Sequence, residues 1–400
     1  MKPLQEQFSN PREQGQPLKV LILSASTGNG HMSAARALEK ELARLGVDVR
    51  NLDTMDITPF AFRTWYKGGY EAVVRTCPPL WGALYKVSDD PGFAFQVQSV
   101  MDWVFVAKVR PVIEEFQPDW VICTHSLPQP RLAHLRKKMG TFKIGVVVTD
   151  LYPHLMWLRG KPDHYFVPED WSQRMLEERH PEYIGMSDVT GIPIDPIFGE
   201  SRDKRTLRDE LGLSPNDPVI LIASGGIGGG PMGAAVKALV KIQKPMDLVV
   251  VAGRNTVNRE YLKRSFDSLQ TGPVRIHLKG HITQAEMAAH MQAADLLVSK
   301  PGGLTTCEAL AAGCPFVVYK PFIIPGQEEG NADFLTSERC GVLATSPADL
   351  MEKVRDLLNR PEELDRMSAR ARELAKPNSA TLIAQRIIEL GKPAALAQAG

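Results

Sequence analysis

Four hundred residues are enough for two domains with cores of their own, and 44% apolar with 23% charged residues is ordinary for a soluble α/β protein. A formal net charge of +1 argues against a dedicated nucleic-acid binder. Five cysteines, an odd number without metal-ligand spacing, fit a reducing compartment rather than a disulfide framework.

The first residues, "MKPLQEQFSNPREQGQPLK", are polar and lack the apolar core of a signal peptide, which predicts a loose tail over residues 1–18. "KVLILSA" reads as a buried strand and "HMSAARALEKELARLG" as an amphipathic helix closed by Gly46. "VDVRNLD", "DWVICTHS", "FKIGVVVTD" and "HYFVPE" continue as strands, and "DVTGIPIDPIF" leads out of this half. A second series runs through "PVILIASGG", "MDLVVVAGRN", "VRIHLKG", "ADLLVSKPGG" and "PFVVYKP". Alternating β and α segments predict parallel sheets with right-handed crossovers. Two such series joined near 196–218 predict two Rossmann-like domains, with strand ends facing a central cleft. The expected divisions are an N-terminal domain over 19–196, a C-terminal domain over 197–376, and a last helix and tail over 377–400 that either crosses back or ends apart. No run of about 18 apolar residues is present, so no membrane span is expected.

The C-terminal half carries glycine-rich loops at strand ends. Ser224–Gly230, "SGGIGGG", includes Gly225 and Gly226, where backbone amides can approach an anion without an intervening Cβ. "AGRN" adds Arg254 as a charge partner. "KPGGLTTCEAL" puts Gly302, Gly303 and Leu304 at a helix start, where unbonded amides and the helix dipole favour phosphate. The competing reading is purely structural: glycines make turns, and Thr305-x-x-Glu308 has the spacing of a capping box. Because the chain has no Asp-x-Asp, no metal or other cofactor is expected, and amides would have to neutralise a diphosphate. "GQEEGNADF" supplies Gln327, Glu328 and Asn331, whose amide and carboxylate groups suit sugar hydroxyls. A polar, solvated helix start is the competing structural reading.

In the N-terminal half, "SASTGNGHMSAA" sets Gly28, Gly30 and His31 between the first strand and its helix. No Gly-Lys-Ser/Thr follows, so this is not a P-loop. Gly28-x-Gly30-x-x-Ser33 with Asp53 about twenty residues on partly imitates a dinucleotide fingerprint, which keeps an NAD-linked dehydrogenase open. Against it stands His31, whose ordinary pKa near 6.5 suits removal of a proton from a hydroxyl. "TDLYPHLMW" offers Asp150, which either orients an acceptor hydroxyl or caps a helix. His154 and Trp157 either line an acceptor channel or pack under a loop. Residues 60–86 interleave Trp65, Tyr66 and Trp81 with arginines and lysines. That pattern fits a lipid interface and an ordinary amphipathic hairpin alike.

Taken together, "GNGHMSAARAL", "TDLYPHLMW", "VTGIPI", "SKPGGLTTCEALAAGCPFVVYKP" and "PGQEEGNADF" resemble the monogalactosyldiacylglycerol synthase and processive diacylglycerol glucosyltransferase family. These are inverting glycosyltransferases of GT-B fold, related to the MurG peptidoglycan enzyme. The likeness extends roughly over residues 19–385. It implies a UDP-hexose donor and an acceptor that is diacylglycerol or glycosyl-diacylglycerol, met at an anionic membrane surface by a cytoplasmic, peripherally associated enzyme. The N-terminal domain would bind acceptor and the C-terminal domain UDP-sugar. By the same resemblance Ile282 lies by the uracil, Thr305 and the amides before it touch phosphate, and Glu308 holds the ribose. Gln327 and Glu328 read the hexose, and His31, beside Gly30, is the base or an acceptor-site residue. The galactosyl branch has Asp where Ser26 stands, and "GNGH" with "YKPFIIPGQE" is closer to the glucosyl branch, which favours glucose. A UDP-sugar epimerase of the same architecture is the alternative reading.

Overall fold

The computed structural model describes residues 16–391 except 27–28, 58–68, 70–72, 74–76, 88–108, 141, 159, 226–229, 255, 268 and 270–271. The chain divides into two units. One comprises residues up to Ile194 and again from Asn378, the other Asp195–Pro377.

The first unit is built on β1 (Lys19–Ser24), α1 (Asn29–Arg44), β2 (Asp48–Asp53), α2 (Pro78–Val87), α3 (Val109–Phe116), β3 (Trp120–Cys123), α4 (Gln129–Met139), β4 (Lys143–Val147), β5 (His164–Val167), α5 (Asp170–Arg179) and β6 (Ser187–Val189). Its six strands are parallel in the order β2-β1-β3-β4-β5-β6. Short apolar runs such as "WVIC" form wholly buried strands because helices cover both faces of such a sheet. On one face Leu21, Leu23, Val121, Ile144 and Val146 pack with α3 and α4; on the other, Val20, Ile22 and Ile122 meet α1. That second face is completed by the C-terminal helix Ser379–Gly391, which buries Ile383, Ala384 and Ile387 there and lies along α1. Polar contacts pin the helix in place. Ser379 Oγ donates to Ile192 O at 2.7 Å, Thr381 Oγ1 to Glu41 at 2.9 Å, and Arg386 Nε to Asp188 at 2.8 Å.

The second unit continues with α6 (Lys204–Leu211), β7 (Val219–Ala223), α7 (Met232–Val240), β8 (Met246–Val251), α8 (Thr256–Asp267), β9 (Val274–Lys279), α9 (Gln284–Ala293), β10 (Leu296–Ser299), α10 (Gly303–Ala312), β11 (Phe316–Tyr319), α11 (Glu329–Ser337), β12 (Gly341–Ala344), α12 (Pro347–Leu358) and α13 (Pro361–Leu374). Its strands are also parallel, in the order β12-β11-β10-β7-β8-β9.

Each sheet has one place where successive strands turn from one direction to the other. In the first unit it lies between β1 and β3; in the second, between β7 and β10. Crossovers on either side of such a point leave through opposite faces, which opens a crevice at the carboxyl ends of the two strands. The segments that follow these four strands carry the polar and glycine-rich residues of interest.

Candidate active site

In the second unit, Ser224 and Gly225 follow β7 while Lys300, Pro301 and Gly302 follow β10. Gly225 has φ +82°, a left-handed conformation that glycine adopts without strain, and a Cβ there would stand 3.1 Å from Lys300 Cε. α10 starts at Gly303 with extended Gly302 as its cap, which has no side chain to bond the first-turn amides. This overturns the capping-box spacing read for Thr305 and Glu308: the cap lies three residues before Thr305, and both residues sit inside the helix. The helix start therefore presents its first amides and its dipole with no side-chain cap on them.

Glu308 lies buried on α10. Burial, reinforced by the nearby charge of Asp195, raises its pKa to about 8. Glu328, 4% exposed, precedes α11; its Oε2 accepts from the Ile324 amide at 2.9 Å and its Oε1 pairs with Lys300. Asn331 is buried and donates to Pro301 O at 2.8 Å, tying α11 to the loop that introduces α10. The structure thus gathers Gly225, Gly302, Glu328 and Asn331 around Lys300 and Pro301. Leu304 is buried in the first turn of α10, with Thr305 beside it half-buried, and Gln327 is half-buried next to Glu328. Arg254 is exposed after β8, and Ile282 half-buried after β9, just ahead of a Thr283–Glu286 capping box. Gly226 is outside the described residues.

In the first unit, Gly30 and His31 lie in the first turn of α1 after β1. His31 Nδ1 is 2.7 Å from Thr149 Oγ1 and 3.1 Å from Thr124 O. A carbonyl can only accept, so the tautomer with hydrogen on Nδ1 satisfies that contact and puts the basic lone pair on Nε2. The His125 ring meets His31 edge-on, with centroids 4.5 Å apart. Burial, then the charge of His31, holds the His125 pKa well below its ordinary value, and its Nδ1 accepts from the Leu127 amide at 3.1 Å. Trp157 lies 6.1 Å from His31 between centroids and donates its indole N–H to Asp150 at 2.9 Å. Asp150 therefore orients Trp157 beside the histidines. Thr124, His125 and Thr149 were missed in the sequence; their only signal was a polar residue directly after an apolar strand.

His154 is placed differently. Its Nδ1 accepts from Met156 N and its Nε2 meets Tyr85 O, both at 3.1 Å, so the ring holds α2 to this loop. Trp81 is half-buried on α2, while Gly28, Trp65 and Tyr66 are outside the described residues. Asp53 accepts from the amides of Ser26 at 3.1 Å and Met55 at 2.9 Å. One oxygen of the carboxylate that a dinucleotide ribose would need, Oδ1, is thus taken up by the backbone.

Among the described residues no helix is long and apolar enough to cross a membrane, and no three His, Cys, Asp or Glu side chains gather as metal ligands. The model of the family "Monogalactosyldiacylglycerol (MGDG) synthase" matches residues 31–194, starting on His31, and that of "Glycosyl transferases group 1" matches 232–374. A processive diacylglycerol β-glucosyltransferase of Bacillus pumilus is 30% identical over 386 residues, covering 93% of this chain and 94% of the relative. The chain belongs to this diacylglycerol glycosyltransferase family. A probable chloroplastic monogalactosyldiacylglycerol synthase of Glycine max, equally 30% identical, matches 95% of the chain and 73% of its own length. Family membership agrees with the fold. The crystal structure of Acinetobacter baumannii MurG superposes with TM-score 0.60 over 93% of this chain and 100% of that one, at 17% identity. The two parallel sheets are those of a GT-B glycosyltransferase.

Proposed function

We propose that the protein transfers a hexose, preferentially glucose, from a UDP-sugar to diacylglycerol at a membrane surface, with inversion at the anomeric carbon. The observation that carries this reading is the uncapped start of α10 at the strand-order reversal, flanked by Lys300 and the buried carboxylates Glu308 and Glu328. First-turn amides suit the diphosphate, Glu308 the ribose, and Gln327 with Glu328 the hexose. Arg254 and Ile282 extend the donor site toward charge and base. No metal is required in this scheme, because amides, dipole and an ammonium meet the leaving group's charge.

On the acceptor side, His31 is the base. Thr149 and the Thr124 carbonyl hold Nδ1, so Nε2 takes the proton of the glycerol hydroxyl as its oxygen bonds to the anomeric carbon. The carbon–oxygen bond to UDP breaks at the same time, and its electron pair leaves with the diphosphate. His125, kept neutral, adds no competing cation beside His31. Glycosyl-diacylglycerol would enter as a second acceptor if more than one sugar is added. The membrane reading draws on α2, whose Leu80, Leu84 and Val87 are exposed one helical turn apart, next to exposed Lys86. It corresponds to peripheral attachment on the cytoplasmic side.

Incubation of the purified protein with diacylglycerol vesicles and labelled UDP-glucose or UDP-galactose tests the proposal. A labelled glycolipid, formed faster from UDP-glucose, is expected. Conversion of UDP-sugar without any lipid product would instead favour an epimerase of the same fold.

A further inference from the structure

We infer that the Lys300–Glu328 ion pair is an exchangeable contact that couples recognition of the diphosphate to recognition of the hexose. On donor binding the Lys300 ammonium passes from Glu328 to the diphosphate, and the released Glu328 carboxylate accepts hydroxyls of the hexose. The inference rests on the reading of the second unit as a UDP-sugar site.

Lys300 sits at the carboxyl end of β10, two residues before the cap of α10. Its chain runs past two glycines. Its Cε is 3.1 Å from the point where Gly225 would carry a Cβ, and its Nζ is 3.8 Å from the corresponding point on Gly302. Glu328 Oε1 is 3.5 Å from that same point on Gly302. The ammonium and carboxylate therefore meet beside the residue that opens the helix, where a diphosphate would lie. A Cβ at 225 would press on the Lys300 stem, whereas one at 302 would only touch the pair.

A carboxylate as buried as Glu328 needs a positive partner when the site is empty, since an uncompensated buried charge is costly. Beside a bound diphosphate the same carboxylate would repel the ligand unless a cation stood between them. Lys300 meets both needs in turn. Its side chain keeps 22% exposure, against 5% for that of Glu328, so it is the partner able to move. An ammonium on a flexible stem is also suited to such exchange, unlike the rigid fork of arginine.

A purely structural brace would have little left to do. α11 is already tied to the same loop by Asn331 on Pro301 O, and Glu328 by the Ile324 amide. Three further hydroxyls point to a ligand. Ser224 after β7, Ser299 at the end of β10 and Thr306 in the first turn of α10 are buried, and none has a hydrogen-bond partner among the described residues. Burying three hydroxyls without partners is unusual unless something else completes them.

The test is calorimetric titration of wild type, Lys300→Met, Lys300→Arg and Glu328→Gln with uridine, UDP, UDP-glucose and UDP-galactose. Exchange predicts that Lys300→Met weakens UDP by about 10- to 100-fold and leaves uridine unchanged, with Lys300→Arg recovering only part of the loss. Glu328→Gln should bind UDP more tightly than wild type, because the competing carboxylate is gone. The extra affinity of UDP-hexose over UDP should nevertheless disappear in that variant. If Glu328→Gln weakens UDP together with Lys300→Met, and both lower the melting temperature alike, the pair is a static brace and the inference is overturned. Lys300→Met with unchanged UDP affinity overturns it as well. Failure of the wild type to bind UDP at all would sink the donor-site reading itself, a separate outcome.

Discussion

The ring of His31 and the hydroxyl of Thr149 stand 2.7 Å apart although 118 residues separate them. If Nε2 is the base, His31→Ala should lower kcat by 10²–10⁴-fold, the usual worth of general-base assistance, with UDP affinity barely changed. His31→Gln should rescue little. Thr149→Val keeps the base but frees its ring, and a loss of roughly 10- to 100-fold is expected from misalignment. Steady-state rates at saturating UDP-sugar check all three; near-normal turnover of the alanine variant would pass the role to Asp150.

Glu308 should make donor binding depend on pH. Its pKa is raised to about 8, so near neutrality the empty site holds it mostly protonated. A carboxylate accepting ribose hydroxyls must lose that proton, so UDP affinity should rise as pH climbs toward 8, with proton uptake by the buffer visible in the binding enthalpy. Stability runs the other way. A raised carboxyl pKa contributes stability that is complete below the ordinary value of 4.5 and is lost as pH rises through about 8. Glu308→Gln should flatten both profiles, and Glu308→Ala should weaken UDP by about 1–3 kcal/mol. UDP affinity independent of pH from 6 to 9 would remove the ribose role.

Transfer should persist in a chelator. On the proposed reading the diphosphate's charge would be met by Lys300 and the uncapped helix start, since the chain has no Asp-x-Asp. Complete loss in EDTA, restored by magnesium or manganese, would contradict this.

The protein should sediment with anionic vesicles and release at high salt, since each cation near such a surface contributes about 1 kcal/mol. Leu80 and Leu84 are 49% and 43% exposed on α2. Replacing both by Ser should cut association, by roughly 1 kcal/mol per leucine, and leave UDP binding intact. The same comparison with Trp65, Tyr66 and Trp81 changed to Ser tests the interleaved segment. Vesicle binding indifferent to both sets would make residues 60–86 structural only.

Strands such as "VILIA" and "WVIC" were legible because a sheet covered on both faces leaves unbroken apolar runs. The glycine loops and His31 were legible because they interrupt those runs at strand ends. What surrounds His31 was not. Thr124 and Thr149 arrive from β3 and β4, and pairing order in a parallel sheet is invisible to local periodicity. The competing capping-box reading of Thr305-x-x-Glu308 falls because a capping spacing says nothing of where the helix begins; Gly302 had already begun it. His154 looked like a channel residue until its two ring nitrogens proved occupied. Lys300 drew no attention, since its partner lies 28 residues away across a strand and a helix.

The C-terminal helix has a consequence for biosynthesis. Val20, Ile22, Leu38 and Leu42 leave the ribosome long before Ile383, Ala384 and Ile387, which cover them. Between them residues 195–377 must be made, which takes roughly 10–40 s at ordinary elongation rates. During that interval the nascent first sheet carries a bare apolar face. The second unit can mature on schedule while the first waits, open to chaperones or to misassociation with a neighbouring chain on the same message. A nonsense mutation just before Ser379 would therefore harm a sheet made nearly two hundred residues earlier.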